Sequence, residues 1–333
     1  MPVTPLDPDP SEPDVAGVHR VRAAATEVDR PGDPPPLAED VAAELRHRRP
    51  DQHRHRWVAR DPSGTIVGYA ALRLPQLDNQ HLGLVQVTVH PGHRRRGTGT
   101  ALLRTVVAAA AAEGRGTLVG DADQGGAGAA YARSLDLPVV ATDRMSLLRL
   151  ADADRADVEA LAAAAHPGHR LQAWTDHCPD DLVESYARAK TAMNDAPFED
   201  IDFTDFAFTV DTIRADEAGA RSPGEARGVV AVHENTGEVA ALTELLIPRR
   251  PHRSYQNDTA VVPAHRGSGL GLWVKADMLV RLREERPEVA EILTGNAVSN
   301  THMLRINDRL GFREWNRIDG HQVGTATLAA RLG

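Results

Sequence analysis

The residues of this chain that are best arranged for chemistry lie between positions 259 and 272, where a β-branched run leads into closely spaced glycines. A strand that ends at Pro263 and opens a helix leaves several backbone N–H groups without an intrahelical acceptor. The helix dipole attracts anions to that end, and glycine lets the backbone approach a ligand closely. We therefore predict a phosphate or pyrophosphate site formed by Val261, Val262, Arg266, Gly267, Ser268, Gly269, Leu270 and Gly271.

A second stretch, between positions 89 and 99, has the same spacing of valine, proline, arginine and two glycines. Each of these five residues precedes its counterpart by 172 positions, as Val89 precedes Val261. Neither stretch has the Gly-Lys-Ser/Thr ending of a P-loop or the G-x-G-x-x-G spacing of a dinucleotide fingerprint. One offset shared by five positions indicates an internal repeat. The corresponding candidates are Val89, Arg94, Arg95, Arg96, Gly97, Thr98 and Gly99.

The shared pattern V-x-P-x-x-R-x-x-G-x-G resembles the acetyl-CoA pyrophosphate loop of the GCN5-related N-acetyltransferase (GNAT) superfamily, and the repeat resembles a tandem member. The resemblance covers most of both halves. It implies an α/β (α+β) fold with two tandem domains, each a mixed, mostly antiparallel, splayed sheet flanked by helices. It also implies acetyl-CoA as the cofactor, and allows CoA to bind in both domains.

The resemblance assigns roles to four residues of the second half. Val261 would direct a main-chain N–H to the thioester oxygen, and Asn300 would bond the pantetheine arm or cap the last helix. Glu244, in the strand before the pyrophosphate strand, stands where the family has its base; the alternative is an ordinary strand glutamate. Asn307 is placed with the cofactor-binding residues, but it replaces the usual tyrosine and cannot protonate a thiolate. Tyr255 and Asp258 are weak substitutes for that acid.

The first half lacks several of these residues. The offset of 172 places Leu72 opposite Glu244, and Leu135-Asp136-Leu137 replaces the closing Leu310-Gly311-Phe312. Tyr131 is one place out of register with the family tyrosine, so we expect it to pack rather than react. We infer that the second half is catalytic and that the first is degenerate.

The elements that position these residues divide the chain into a disordered tail (1–14), a first domain (15–143) and a second domain (144–333). In the first domain we expect strands at 17–23, 57–60 and 66–74, and a helix through Val41 and Leu45. In the second we expect helices at 152–165 and 180–193. Residues 194–206, called here the acidic loop, alternate carboxylates with phenylalanines; this loop is either an acceptor rim for an amine or a solvated loop.

Composition excludes several function classes. The formal charge of −9 argues against nucleic acid as a main partner and allows a cationic substrate. The Arg- and His-rich residues 46–56 fit a solvated helix end better than a nucleic-acid patch. A single cysteine, Cys178, suits a reducing cytoplasm, and no apolar run reaches the roughly 18 residues that a membrane span needs. We expect no metal, and a monomer or a homodimer.

The leading hypothesis is an acetyl-CoA-dependent N-acetyltransferase that acts on a primary amine of a small molecule by direct attack on the thioester. A mycothiol synthase-like acetyltransferase is a close alternative, and resistance to an aminated antibiotic fits the same features. A non-catalytic acyl-CoA sensor is the alternative from another class.

Overall fold

A computed structural model describes residues 2–48, 51–220 and 224–333. Arg49 and Pro50, which belong to the Arg- and His-rich residues 46–56, lie outside the described residues. The chain forms two compact units. The first comprises Met1–Thr142, Glu199–Thr204 and Arg317–Gly333, and the second comprises Asp143–Phe198 and Asp205–Asn316. The first unit therefore includes two segments that come after residue 143 in the sequence.

Strands and helices alternate along the chain in an order that repeats. The strands are β1 (Val3–Pro5), β2 (Gln52–Arg60), β3 (Ile66–Pro75), β4 (Leu82–Val89), β5 (Thr117–Asp123), β6 (Val139–Arg149), β7 (His169–Thr175), β8 (Gly224–His233), β9 (Val239–Pro248), β10 (Arg253–Val261), β11 (Glu291–Ala297) and β12 (Arg313–Gly324). The helices are α1 (Glu12–Asp29), α2 (Ala38–Arg46), α3 (Thr98–Ala112), α4 (Ala127–Ser134), α5 (Arg155–Ala162), α6 (Val183–Lys190), α7 (Val210–Ala220), α8 (Leu270–Glu285), α9 (Thr301–Arg309) and α10 (Thr325–Leu332).

The first unit contains strands in the spatial order β1-β2-β3-β4-β5-β12, in which residues 318–324 of β12 pair with β5. Neighbouring strands are antiparallel except for β4 and β5, which are parallel. Helices α1 and α2 cover one face through an apolar cluster that includes Val18 and Leu45. Helices α3 and α10 cover the other face, which includes Leu72.

The expected strand at 17–23 is wrong, because this segment lies within α1. Val15, Val18, Val21 and Ala25 are all buried and recur every three or four residues, the period of a helix that covers a sheet. The short alternation inside this pattern is not a strand signal.

The expected disordered tail also differs from the structure. Residues 3–5 form β1 and pair with β2, and Leu6 is buried in the cluster beneath α1. The side chain of Ser11 accepts a hydrogen bond from the Asp14 N–H and so caps α1. A Pro/Asp-rich composition therefore did not prevent order, because the segment buries an apolar residue and pairs its backbone.

The second unit contains a sheet in the order β6-β11-β10-β9-β8-β7. Its neighbouring strands are antiparallel except for β10 and β11. Helices α5 and α8 cover one face, while α6 and α7 cover the other, which contains the buried Cys178. Buried Lys275 of α8 lies over the ring of Phe312, with its Nζ 5.4 Å from the centroid. Burial lowers the pKa of Lys275 to about 7.

Each sheet opens where its two parallel strands diverge. Among the described residues, β10 pairs with β11 only from Arg253 to Tyr255, and β4 pairs with β5 only from Leu82 to Val85. The carboxyl-terminal ends of β10 and β4 have no such partner on that side. Each sheet is therefore splayed immediately before its glycine-rich loop.

Candidate functional site

The glycine-rich loop of the second unit joins β10 to α8 through a single 3₁₀ turn, Pro263–His265. Gly267 and Gly269 adopt the left-handed conformation, with φ of +80° and +81°, and Gly269 is the N-cap of α8. Glycine is favoured at both positions because a Cβ is strained there. The N–H groups of the first helical turn, which begins with Leu270 and Gly271, have no intrahelical acceptors and form a site suited to an anion.

The side chain of Arg266 turns back onto its own strand. Its Nε donates to the carbonyl oxygen of Val261 at 3.1 Å, and one of its terminal nitrogens forms an ion pair with Asp195 of the acidic loop. Arg266 therefore fixes the shape of the loop. In this arrangement the backbone N–H groups are the donors that an anion would meet first.

The loop of the first unit has the same construction. It contains a 3₁₀ turn at Pro91–His93, and Arg95 and Gly97 have φ of +60° and +80°, as Gly267 and Gly269 do in the second loop. Arg94 Nε donates to the Val89 carbonyl at 3.1 Å, and its guanidinium bonds both carboxylate oxygens of Asp29 at 2.7 and 2.5 Å. The next residues, Arg96, Thr98 and Gly99, lie at the junction with α3. The structural repeat thus extends from the backbone to a hydrogen bond of the arginine side chain.

Val261 lies at the mouth of the splay between β10 and β11. The Val262 N–H donates to the Ala240 carbonyl on β9 at 2.9 Å. Adjacent residues of a strand direct their N–H groups to opposite sides, so the Val261 N–H points away from β9 and into the splay. This is the direction needed to meet an acyl oxygen held between the diverging strands.

Glu244 of β9 lies in a cluster with Tyr186 and Lys190 of α6 and Asp258 of β10, called here the Lys190 cluster. The Tyr186 hydroxyl and Lys190 Nζ both donate to Glu244 Oε1, the lysine at 2.8 Å. Lys190 Nζ also lies 2.7 Å from Asp258 Oδ2. No other donor to the Glu244 carboxylate is found among the described residues, which leaves Oε2 able to take a proton.

The electrostatics of the Lys190 cluster favour a charged lysine and a neutral tyrosine. Burial alone would lower the pKa of Lys190, but Glu244 and Asp258 outweigh it and raise that pKa above its ordinary value. Burial, and then the negative charge of Glu244, raises the pKa of Tyr186 well above its usual value. Tyr186 is therefore a hydrogen-bond donor to Glu244 at neutral pH.

The structure corrects the residue placed opposite Glu244 in the first unit. Val89 pairs with Gly68, whereas Val261 pairs with Ala241, so the offset along β3 and β9 is 173 rather than 172. Ala71 is therefore the counterpart of Glu244, and it faces α1 as Glu244 faces α6. Leu72 lies on the other face. The first unit still has no carboxylate at this position.

Two asparagines have defined partners around α9. Asn300 caps the helix, its Oδ1 accepting from the Met303 N–H at 3.2 Å. Asn307 is fully buried and donates from Nδ2 to Asn296 Oδ1 at 2.7 Å. Tyr255, considered as a substitute acid, is exposed, while Asp258 is bound to Lys190.

The acidic loop is divided between the two units, and several of its polar groups are engaged. Glu199 accepts a hydrogen bond from the Thr142 N–H, and Asp202 lies 3.2 Å from His81 Nε2 within the first unit. The expected solvated helix end at residues 46–56 is wrong in its carboxyl-terminal part, because residues 52–56 lie in β2 and Arg56 is buried and donates to the Glu44 carbonyl. Tyr131 donates to Thr100 Oγ1 at 3.0 Å and packs against the α3 core.

Sequence reasoning missed Tyr186 and Lys190. They are four residues apart and face the same side of α6, next to buried Val183, Ala187 and Ala189. A lysine on the apolar side of a helix was the available signal, because such a lysine needs a buried anion.

Among the described residues, no group of three or more His, Cys, Asp or Glu side chains could hold a metal ion. In the same part of the chain, no helix combines the length and apolar character of a membrane span.

Known acetyltransferases resemble parts of this chain, and one of them resembles most of it. The acetyltransferase (GNAT) family pattern matches residues 20–135. Mycothiol acetyltransferase of Salinispora tropica is 29% identical over 318 residues, 94% of each chain. Mycothiol acetyltransferase of Stackebrandtia nassauensis is 40% identical over 80 residues, 23% of this chain and 24% of that protein.

Solved structures show the same architecture. A tandem GNAT protein from the clavulanic acid biosynthesis pathway is 26% identical, with a TM-score of 0.82 over 97% of this chain and 98% of that one. A GCN5-related N-acetyltransferase from Sphaerobacter thermophilus shares the fold, with a TM-score of 0.68 at 18% identity over 97% and 96% of the two chains. With two splayed sheets and two glycine-rich loops of one construction, the chain has the architecture of a tandem GNAT protein, and its residues 20–135 match the acetyltransferase (GNAT) family.

Proposed function

We propose that the second unit transfers the acetyl group of acetyl-CoA to a primary amine of a small molecule, and that the amine attacks the thioester directly. The observation that carries the proposal is the position of Glu244. Its carboxylate lies on β9, beside the bulged part of β10 that borders the splay, and the first unit has Ala71 in its place. The second unit is thus the one with a candidate base beside a candidate acyl site.

The binding and attack steps each have residues suited to them. The N–H groups of Gly267 to Gly271 bind the pyrophosphate, and the Val261 N–H bonds the thioester oxygen as negative charge develops there. Glu244 Oε2 takes a proton from the incoming ammonium, so that the nitrogen lone pair can form the C–N bond while the C–S bond breaks. The overall reaction converts an ammonium and acetyl-CoA into an acetamide, CoA thiol and one proton.

Asn307 cannot protonate the CoA thiolate that leaves in this reaction. Its side chain is buried against Asn296 and has no proton of suitable acidity to give. We propose that CoA leaves as a thiolate and is protonated by solvent. Asn300 stays at the start of α9, where its cap role is compatible with a bond to the pantetheine arm.

A second candidate function follows from the full-length similarity to mycothiol acetyltransferase. In that case the acceptor would be the cysteinyl amine of the mycothiol precursor. The fold and the candidate base serve either acceptor, so only the acceptor distinguishes these two functions.

The test is a thiol-release assay with acetyl-CoA and a panel of amines that includes the cysteinyl precursor of mycothiol. We expect turnover with at least one amine, and a loss of roughly 100-fold or more in kcat for Glu244→Gln. Ala71→Val, at the matched position of the first unit, should leave kcat unchanged. CoA binding without turnover on any amine would support the sensor hypothesis, and turnover abolished by Ala71→Val but not by Glu244→Gln would place catalysis in the first unit.

A further inference from the structure

Lysine is almost absent from this protein, and both of its lysines are buried. Of 38 cationic residues, only Lys190 and Lys275 are lysine, and the rest are arginine. Lys275 has an aromatic ring as its neighbour, whereas Lys190 has two carboxylates. A compact ammonium with tetrahedral donors can bridge two carboxylates in a narrow site, which a planar guanidinium cannot do in the same way.

The surroundings of Lys190 hold its ammonium in one place. The side chain is 7% exposed, and its Nζ lies 5.8 Å from the ring centroid of Tyr186 and 5.5 Å from that of Phe208. The carboxylates that it bridges come from different strands, Glu244 from β9 and Asp258 from the bulged part of β10. Tyr186 adds a neutral donor to the same oxygen of Glu244.

The charge of the cluster is the sum of three ions. Two carboxylates and one ammonium leave one net negative charge, since Tyr186 is neutral. The Cys178 thiol also acts on Tyr186, but burial raises its pKa to about 12, so it adds no charge at neutral pH. An acceptor that carries one positive charge would neutralise the site.

We propose that Lys190 is a positioning and specificity-determining residue that orients the Glu244 carboxylate and sets the site to accept amines with a single positive charge. The proposal rests on the proposed function of Glu244 as the base. Lys190 fixes Oε1 of the carboxylate and leaves Oε2 for the acceptor. It also offsets the repulsion between the Glu244 and Asp258 carboxylates, because its ammonium lies within 2.8 Å of both.

Four variants give the Lys190 cluster a defined net charge, which two of them change and two of them keep. Lys190→Met leaves two uncompensated carboxylates, and Asp258→Asn leaves a neutral ion pair. Lys190→Met/Asp258→Asn restores one net negative charge, and Lys190→Arg keeps the charge with a different shape. Arg188→Gln is the matched control, because Arg188 lies two residues away on α6 and pairs only with exposed Glu238 among the described residues.

The experiment measures kcat/KM against pH for each variant, with acceptors of one and of two positive charges. For Lys190→Met we expect the acidic limb to move up by about one to two pH units and kcat/KM at pH 7 to fall roughly tenfold or more. For Asp258→Asn the acidic limb should move to lower pH. For the double variant it should return toward its wild-type position. The ratio of kcat/KM for the doubly charged to the singly charged acceptor should rise in Lys190→Met and fall in Asp258→Asn.

Several results would overturn the proposal. One is that neither Lys190→Met nor Asp258→Asn changes the acidic limb of the pH profile or the ratio of kcat/KM between the two acceptors. Another is that Arg188→Gln shifts these quantities as much as the two variants do. Asp258→Asn keeps the lysine, so it decides the question if Lys190→Met does not fold. A wild-type protein without turnover on any amine would instead refute the proposed function. A failure of the proposed function can therefore be told apart from a failure of the proposal for Lys190.

Discussion

Arg266 donates through Nε to the carbonyl oxygen of Val261, and the 3.1 Å distance is repeated between Arg94 and Val89. The same side chain thus closes both glycine-rich loops back onto their strands. Because the guanidinium is engaged in this way, we expect Arg266 to act on CoA affinity through the shape of the loop.

The first prediction concerns this bond. Arg266→Ala should weaken acetyl-CoA binding by about 1 kcal/mol, or roughly fivefold, because the ion pair is half exposed and the loop keeps its backbone donors. Isothermal titration with CoA measures the change. Arg94→Ala is the matched control, and it should lower the stability of the first unit without changing turnover. A loss of 100-fold or more for Arg266→Ala would instead indicate direct contact with the phosphates.

The second prediction compares the two N-cap glycines. Gly269→Ala and Gly97→Ala impose similar strain, since φ is +81° and +80°, but a Cβ on residue 269 would also meet His166 Cε1 at 3.3 Å, while one on residue 97 has open space. We expect Gly269→Ala to raise the KM for acetyl-CoA several-fold and Gly97→Ala to leave it unchanged. Equal effects on KM would mean that the first loop also serves turnover.

The third prediction follows from Lys275, whose pKa is lowered to about 7 by burial. The unfolded state binds the extra proton between pH 7 and about 10.5, so stability rises with pH in that window and is lost as pH falls toward 7. Lys275→Met should therefore increase the free energy of unfolding at pH 7 by a few kcal/mol, and this gain should shrink toward pH 9. Urea unfolding at both pH values measures it.

A direct check of Lys275 is available because the chain has only two lysines. Selective ¹³C labelling at lysine Cε should give two NMR signals, one that titrates near neutral pH and one that stays protonated well above it. Two signals that both titrate near the ordinary lysine value would contradict the burial of both amines.

The fourth prediction concerns Cys178, which is buried and whose pKa is raised to about 12, mainly by burial. At pH 8 only about one thiol in ten thousand is ionised, so a thiol reagent should react very slowly with the native protein. The same protein in urea should react at the rate of an ordinary cysteine. Fast native labelling would show that the α6–α7 face opens.

The glycine-rich loops could be predicted because their requirements are local. Positive φ at Gly97 and Gly269, an N-cap and a preceding strand all leave their signature within a dozen residues. The Lys190 cluster could not be predicted in this way, because Lys190 and Glu244 are 54 residues apart and meet only when α6 packs on β9. The same limit applies to β12 and α10, whose position depends on tertiary pairing.

The sequence offset selected Leu72 as the counterpart of Glu244, whereas the structure shows that it is Ala71. The cause is a small irregularity in strand pairing. The register of β10 against β9 shifts between Gln256 and Thr259. The two glycine-rich loops are 172 positions apart in the sequence. The matched residues of β3 and β9, which pair with the strands before those loops, are 173 positions apart. Since a shift of one residue reverses the face of a strand, the sequence offset selected a core leucine instead of the alanine that faces the helix.

Residues 318–324 of β12 pair with β5 in the first unit, and α10 then packs against α3. Residues 317–333 thus belong to the same unit as β1 to β5, which come much earlier in the sequence. On the ribosome, residues 317–324 emerge after every residue of the second unit, so the sheet of the amino-terminal unit is completed after those residues have been made. The two repeats are therefore not independent parts that could be separated at their junction, and the one translated first is the one finished last.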